Sequence, residues 1–176
     1  MPLHRRKTYD ESSLYDYAVG ALARKMRSVA ELKRLLRQRL TASAESESLI
    51  NAVITRLKDQ KYLNDTAYAT AYSSYRKENE KFGRMRVISD LKARGVHGDV
   101  ITKTVAAAYA GSDEETLARE YLRRKRLKKP GDAREAARIF RALVRAGYTS
   151  RIIIRILRRW DVEDEVLTAL ESELHD

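Results

Sequence analysis

Arginines recur at helical spacing in two stretches near the C-terminal end of the chain. The first row comprises Arg134, Arg138, Arg141 and Arg145, and the second comprises Arg151, Arg155, Arg158 and Arg159. At about 100° per residue, each row falls on one side of a helix, opposite apolar residues such as Phe140 and Ile153. Guanidinium groups form paired hydrogen bonds with carboxylates and phosphates. The rows therefore predict recognition of a phosphate backbone or of an acidic protein groove.

A solvated helix face is the simpler interpretation of these rows. Like charges four residues apart mildly destabilise an isolated helix, however, and mixed charges would keep a protein equally soluble. Acidic residues are nearly absent between the arginines. We therefore interpret the rows as binding surfaces.

Two further groups of cations extend this prediction. One is the run Arg123, Arg124, Lys125, Arg126, Lys128 and Lys129, which a frayed helix end and a linker would explain equally well. The other comprises Arg84, Arg86, Lys92 and Arg94. Gly83 is expected to end one helix, so Arg84 and Arg86 lie near the start of the next. Cations oppose the helix dipole there unless an anion is bound nearby.

The net charge of +11 is concentrated in one region. From Tyr121 to Trp160 there are fourteen Lys and Arg against Asp132 and Glu135, whereas the chain from Asp161 onward has seven acidic residues and no Lys or Arg. A basic region thus abuts an acidic tail, which could screen it, dock against it or contact a separate basic surface.

The composition excludes several classes of protein. There is no cysteine, so disulfides and thiolate metal sites are excluded and a reducing cytoplasm is suitable. No apolar run approaches the roughly 20 residues of a membrane span, and the N-terminal sequence lacks the apolar segment of a secretory signal. We expect a soluble cytoplasmic protein that does not bind membranes.

No pattern of residues indicates catalysis. His4, His97 and His175 have no spacing that suggests shared metal ligation, and His97 is most simply a turn residue. There is no phosphate-binding glycine loop, and no serine lies in a recognisable activating motif. We therefore expect no catalytic residues, no cofactor, no metal and no enzymatic activity.

Aromatic residues offer a weaker signal. Tyr68, Tyr72 and Tyr75 recur at helical spacing and could stack on single-stranded bases. A core stripe with hydroxyl groups at the surface explains them better. Trp160 is likewise predicted to anchor a core.

Two prolines, seven glycines and plentiful Ala, Leu, Arg and Glu predict an almost wholly helical protein. The clearest helix start is the capping box from Ser28 to Glu31. Further cap candidates are Asp65, Ser112, Thr149 and Asp161.

An internal repeat organises these helices. Residues 91–105 align without a gap with residues 143–157 at an offset of 52, which pairs Gly95 with Gly147 at helix ends. A fainter copy covers residues 35–57, where Arg39 and Leu40 replace the glycine and its apolar neighbour. We predict an all-α protein of three tandem three-helix repeats, stacked in an elongated array that suits an extended polyanionic or filamentous partner.

The predicted units have the following boundaries. They are a flexible basic N-terminus at 1–11, repeat 1 at 12–64, repeat 2 at 65–111, repeat 3 at 112–160, and an acidic helical tail at 161–176.

Three motifs within this frame carry a family resemblance. They are LARKMRSVAEL at 22–32, KYLND at 61–65 and FGRMRVISDLKARGV at 82–96. Their order resembles the RecX family, the bacterial regulators of the RecA recombinase, over roughly residues 14–160. The resemblance implies a curved array of three three-helix repeats and a protein that is not an enzyme. The acidic tail lies outside the shared frame.

The resemblance also implies a function. Such proteins lie in the groove of the RecA nucleoprotein filament and limit filament extension, ATPase activity, strand exchange and repressor cleavage, in DNA repair and the SOS response. The expected partners are therefore the RecA filament and, weakly, single-stranded or duplex DNA, and a monomer is expected. Two alternatives remain open: a sequence-tolerant DNA-binding protein of helix-turn-helix-like repeats, and an adaptor that binds an acidic protein.

Overall fold

The protein is described by a computed structural model covering residues 9–174. Within that range the chain forms ten α-helices and no β-strand, as the sequence predicts. The predicted flexible N-terminus at 1–11 lies outside the described residues up to residue 8, as do His4 and His175. Helix α1 begins at Glu11.

The first three helices enclose a small core of their own. They are α1 (Glu11–Arg24), α2 (Val29–Arg37) and α3 (Ala44–Asp59). Ten buried residues fill this core, among them Leu14, Leu32, Leu36 and Ile50. We call these helices the first unit.

The remaining seven helices share a second, continuous core. Its first part is the second unit, formed by α4 (Asp65–Glu78), α5 (Arg84–Ala93) and α6 (Gly98–Tyr109). Its second part is the third unit, formed by α7 (Glu114–Arg124), α8 (Ala133–Arg145) and α9 (Ser150–Arg158), with α10 (Asp164–Ser172) packed on α8 and α9. The buried residues run from Tyr68 to Leu170, with Phe140 among the largest, and Trp160 packs partly buried against them.

The acidic tail forms part of this second core. Leu167 and Leu170 of α10 are buried in it beside residues of α8 and α9. The helix predicted in the tail is thus present, and its apolar face packs against the preceding helices.

The helices begin near the predicted N-cap residues, although three of the caps lie one or two residues away from the predicted position. The capping box of Ser28 and Glu31 is present, and Thr149 is an N-cap without a side-chain cap bond. Three other cap predictions were wrong by one or two residues, and of the three actual N-caps only Asn64 and Asp113 accept a side-chain cap bond. The caps are Asn64 instead of Asp65, Asp113 instead of Ser112, and Glu163 instead of Asp161.

The units meet through a contact that occurs twice. At each junction, the N-terminus of one unit's second helix packs against the C-terminus of the next unit's second helix. The Ser28 hydroxyl donates to the Arg94 carbonyl at 2.6 Å, and the Gly83 amide donates to the Ala146 carbonyl at 2.8 Å. The second contact satisfies an N-terminal amide of α5 that has no intrahelical partner.

Glycines mark these junctions. Gly95 and Gly147 have φ angles of 73° and 93°, the left-handed conformation predicted for them. Gly83 was expected to end a helix, and that prediction was wrong: α4 ends earlier, and Gly83 is the N-cap of α5 with φ of −69°. It is small because the backbone of Gly147 lies against it.

Candidate functional site

The arginine row of α8 faces outward, as its spacing predicts. Arg134, Arg138, Arg141 and Arg145 are all exposed, while Ala136, Ile139, Phe140 and Leu143 on the opposite side are buried. Arg141 lies 3.1 Å from the Glu173 carboxylate. Within residues 9–174 the other three arginines of this row form no ion pair, so their guanidinium groups are available to a partner.

The row of α9 lines an open cleft of about 570 Å³. Its arginines are Arg151, Arg155, Arg158 and Arg159, and Ile154 and Glu171 complete the lining. Ile153, Ile156 and Leu157 on the other side of the helix are buried. The cleft therefore combines four guanidinium groups with a small apolar floor, a lining that suits an anionic ligand.

A buried carboxylate organises part of this row. Glu115, whose side chain is only 10% exposed, accepts from Arg119 at 2.9 Å and from Arg159 at 2.7 Å, and Arg155 lies 3.6 Å away. One negative charge among three guanidinium groups leaves an excess of positive charge. Glu115 thus holds Arg155 and Arg159 near the start of α7.

The acidic tail pairs with three of the predicted cations. Arg158 lies 2.9 Å from Asp164, Arg141 lies 3.1 Å from Glu173, and Lys129 lies 2.6 Å from Asp161. Of the roles that the sequence left open, the structure shows docking against the basic region. All these groups are at least half exposed, so each pair contributes little to stability.

Arg84 and Arg86 have partners within the protein. Arg84 lies 2.5 Å from Glu114, and Arg86 lies 3.0 Å from Asp90 and donates to the Arg145 carbonyl at 3.3 Å. At the start of α5 the amides of Gly83 and Met85 donate to backbone carbonyls of the third unit, so these amides do not serve as an anion site. The structure brings both side chains next to the third unit, with Arg86 beside the end of the α8 row.

Arg94 and Lys92 lie in different surroundings. Arg94 is partly buried at the junction of the first two units, 2.6 Å from Glu31 and over the Tyr72 ring. Burial opposes its charge, yet hydrogen bonds with Tyr72 and Glu31 raise the pKa of Arg94. Lys92 is exposed and has no ion pair among the described residues. Arg94 therefore holds two units together, whereas Lys92 is free to meet a partner.

The basic run that begins in the last turn of α7 is only partly free. Arg124 lies 3.6 Å from Glu80, Lys129 pairs with Asp161, and Lys125 lies over the Tyr121 ring. Arg123, Arg126 and Lys128 line an open cleft of about 390 Å³ with Leu122, Leu127 and Trp160. The helix ends at Arg124, and Arg126 adopts a left-handed φ of 55°, so the run turns away from the helix.

Two residues important to this surface were missed from the sequence. Glu115 and Arg119 are four residues apart on α7, a spacing that predicts an ion pair on a helix. The ion pair between Glu115 and Arg119 could therefore have been predicted from the sequence. The approach of Arg155 and Arg159 to Glu115 could not be predicted, because these arginines lie 40 and 44 residues further along the chain, on α9 and at its C-cap.

Metal and membrane sites are not found in the described part of the chain. No group of three or more His, Cys, Asp or Glu in residues 9–174 could hold a metal ion. No helix in that range is long and apolar enough to cross a membrane.

Comparison of the sequence with known proteins identifies its family. A family model described as RecX, second three-helix domain, matches residues 64–105. The regulatory protein RecX of Chromobacterium violaceum is 32% identical over 145 residues, covering 82% of this chain and 89% of that protein. The regulatory protein RecX of Leptothrix cholodnii is 33% identical over 153 residues, covering 87% and 92%.

Solved structures share the fold. A crystal structure of regulatory protein RecX aligns with a TM-score of 0.69 at 16% identity, over 85% of this chain and 71% of that one. RecX from Lactobacillus salivarius aligns with a TM-score of 0.65 at 21% identity, over 86% and 96%. With relatives this similar over most of its length, the chain belongs to the RecX family of regulatory proteins, which are not enzymes.

Proposed function

We propose that this protein binds the RecA nucleoprotein filament, lies in its groove and reduces filament extension. ATPase activity, strand exchange and repressor cleavage would fall as a consequence, in DNA repair and the SOS response. The site of action would be the cytoplasm, where RecA assembles on DNA. Family membership supports RecA as the partner, because the relatives are named regulatory proteins of the RecX family.

The observation that carries the proposal is the exposed arginine surface of the third unit. Arg134, Arg138 and Arg145 have no acidic partner in residues 9–174, and the α9 cleft holds four more guanidinium groups. A nucleoprotein filament offers both phosphates and protein carboxylates, and arginine binds either one through paired hydrogen bonds. Lys92, Arg123, Arg126 and Lys128 are further exposed cations outside α8 and α9.

The single-stranded-DNA-dependent ATPase of RecA from the same source tests the proposal. The protein is titrated in at well below the RecA concentration. Loss of activity at a small fraction of that concentration supports action on filament growth, because competition for DNA would need far more protein. Unchanged ATPase activity would contradict it.

Direct DNA binding is the second candidate, and the pairing of α8 and α9 favours it. Two short helices joined by a tight turn at Gly147, each with exposed arginines, form a helix-turn-helix-like unit. A direct binder would hold naked duplex tightly at physiological salt, with a steep dependence of affinity on salt concentration. A filament modulator needs only weak binding to naked DNA. Titrating the protein into naked duplex at physiological salt and measuring binding therefore separates the two candidates.

A further inference from the structure

An open cleft lies where the first and second units meet, away from the arginine rows. Its volume is about 650 Å³. The lining comes mainly from the end of α1 and from α4, and includes Lys25, Met26, Ala71, Tyr72, Tyr75 and Arg76. Arg94 and Glu80 complete the charged lining, and no residue of the α8 or α9 rows belongs to it.

Apolar side chains are exposed in this cleft. Five large apolar side chains are exposed in the described residues, and Met26 at 52% and Tyr75 at 55% are two of them. The predicted core stripe of tyrosines therefore holds for Tyr68, which is buried, but not for Tyr75. An exposed aromatic ring beside a thioether is a suitable surface for a flat ligand.

The neighbouring Tyr72 forms a fixed wall. Its hydroxyl donates to Asp90 at 2.9 Å and accepts from Arg76 at 2.9 Å. Its ring stacks on Tyr68 with centroids 6.1 Å apart. Tyr75, one helical turn further on, has no such contacts among the described residues, so its ring is available.

The lining of the cleft carries more positive than negative charge, with Lys25, Arg76 and Arg94 against Glu80. The Glu80 carboxylate is engaged by Arg124, and the Arg94 guanidinium is engaged by Glu31. Within residues 9–174 neither Lys25 nor Arg76 forms an ion pair, although Lys25 lies near enough to Glu31 to lower the pKa of that carboxyl. The Arg76 guanidinium lies over the Tyr72 and Phe82 rings and keeps donors for a further acceptor. The cleft is therefore complementary to an anion that also carries a flat apolar group.

We propose that this cleft binds a segment of single-stranded nucleic acid, with one base stacked on Tyr75 and its neighbouring phosphates near Lys25 and Arg76. Sites for single strands combine a positively charged groove with aromatic side chains on which bases stack. Bases in a duplex are already stacked and cannot enter. The site goes beyond the proposed function, because it requires no recombinase and none of the arginine rows.

Fluorescence anisotropy with a fluorescein-labelled oligothymidylate, and with a duplex of equal length, tests the site without RecA. Tyr75→Ala is expected to weaken oligothymidylate binding by about five- to a hundredfold, the range for loss of one stacked base. Tyr75→Phe should bind as the parent does, because the ring is kept. Lys25→Gln should weaken binding less and flatten its salt dependence.

Matched controls come from the same protein. Tyr62 is 62% exposed and lies outside the cleft, so Tyr62→Ala should leave binding unchanged. Lys58→Gln removes an exposed charge elsewhere and controls for Lys25→Gln. Circular dichroism establishes that each variant is folded.

Three results would overturn the site. The first is equal oligothymidylate affinity of Tyr75→Ala and Tyr62→Ala. The second is an equal loss of affinity for duplex and for oligothymidylate in Tyr75→Ala. The third is loss of RecA inhibition by Tyr75→Ala with oligothymidylate binding intact, which would assign the cleft to a protein segment. Because the oligonucleotide measurement contains no recombinase, its failure is distinguishable from failure of the proposed function.

Discussion

A Cβ atom on Gly83 would lie 2.3 Å from the carbonyl oxygen of Gly147, so the two glycines pack backbone against backbone where the second and third units meet. A Cβ on Gly147 would in turn lie 2.3 Å from the Arg86 amide nitrogen. Neither neighbour is a flexible side chain, so neither can give way easily. This contact also places Arg86 beside the end of the α8 row.

Substituting these glycines should be costly. Gly147→Ala combines the clash with a left-handed φ and is expected to lose about 3 kcal/mol or more of unfolding free energy. Gly83→Ala has an ordinary φ and should lose about 1–3 kcal/mol through overpacking alone. Urea denaturation measures both.

Two other glycines serve as controls. Gly111 has φ of 66° with open space around it, so Gly111→Ala should cost only the strain of about 1 kcal/mol. Gly20 lies within α1, and a Cβ atom placed on it would meet no atom of another element within 4 Å. Gly20→Ala should therefore stabilise the protein by about 0.5–1 kcal/mol. Equal losses for Gly147→Ala and Gly111→Ala would show that the two backbones are not in close contact.

The junction of the first and second units should be sensitive to acid. Burial opposes the charge of Glu31, yet hydrogen bonds from the Ser28 amide and the Arg94 guanidinium hold the pKa of its carboxyl below the ordinary value of 4.5. Because this pKa is lower in the folded chain than in the unfolded chain, the carboxylate contributes stability above pH 4.5. That contribution is lost as pH falls through the folded pKa.

Comparing the parent with Glu31→Gln isolates this contribution from that of other carboxylates. The parent should be the more stable protein at pH 7, and the difference should shrink as the pH falls below 4.5 and through the folded pKa of Glu31. Urea denaturation at a series of pH values measures it. A difference that stays constant with pH would rule out an ionised Glu31 as its source.

Glu115 should contribute to stability through the arginines it holds. Glu115→Gln leaves three guanidinium groups facing a neutral side chain. Since those groups are partly exposed, the expected loss is about 1–3 kcal/mol of unfolding free energy, reduced by high salt. Glu165→Gln, at an exposed position in the first turn of α10, is the control and should lose only about 0.3–1 kcal/mol, from its interaction with the helix dipole. Equal stability of the two variants would contradict the role of Glu115.

Local patterns explain why much of the fold could be predicted. The helical spacing of apolar residues in α8 and α9 identified their buried faces, and the box from Ser28 to Glu31 identified the start of α2. The offset between Gly95 and Gly147 identified two left-handed helix ends. Each of these signals lies within a few residues of the structure that it determines.

Contacts between distant residues explain what could not be predicted. Gly83 is required by Gly147, which lies sixty-four residues later, so its own neighbours in the sequence suggest a different role. The arginine rows were visible, but their acidic partners were not: Asp164 begins α10, Glu173 is the C-cap of α10, and Glu115 lies on α7. Sequence spacing therefore predicted which cations are exposed, but not which are already neutralised.

The acidic side chains of α10 should weaken binding to polyanions. Changing Asp164→Asn and Glu173→Gln together releases Arg158 and Arg141 from their ion pairs. Affinity for DNA is expected to rise, and the logarithmic dependence on salt should steepen by up to about 1.8 if both arginines gain a phosphate. Binding of a labelled duplex between low and physiological salt measures both quantities.

A control at the N-terminal end of the same helix, at its N-cap and first turn, separates pairing from net charge. Glu163→Gln with Glu165→Gln removes the same two charges at exposed positions that form no ion pair in the described residues. If both double variants bound DNA alike, only net charge would matter, and α10 would not restrain Arg141 and Arg158.

The exposed arginines of the third unit are proposed to act on the RecA filament. The most direct test compares two triple variants as inhibitors of the single-stranded-DNA-dependent ATPase of RecA. The first changes Arg138, Arg145 and Arg151 to glutamine. The second changes Arg24, Lys58 and Lys103, exposed cations elsewhere, and so alters the net charge equally.

Both variants should fold, because all six side chains are exposed and none forms an ion pair within residues 9–174. We predict that the second variant inhibits as the parent does, at a small fraction of the RecA concentration, while the first needs at least about tenfold more protein, a loss of about 1.4 kcal/mol. Equal inhibition by the first variant and the parent would contradict the assignment of this surface.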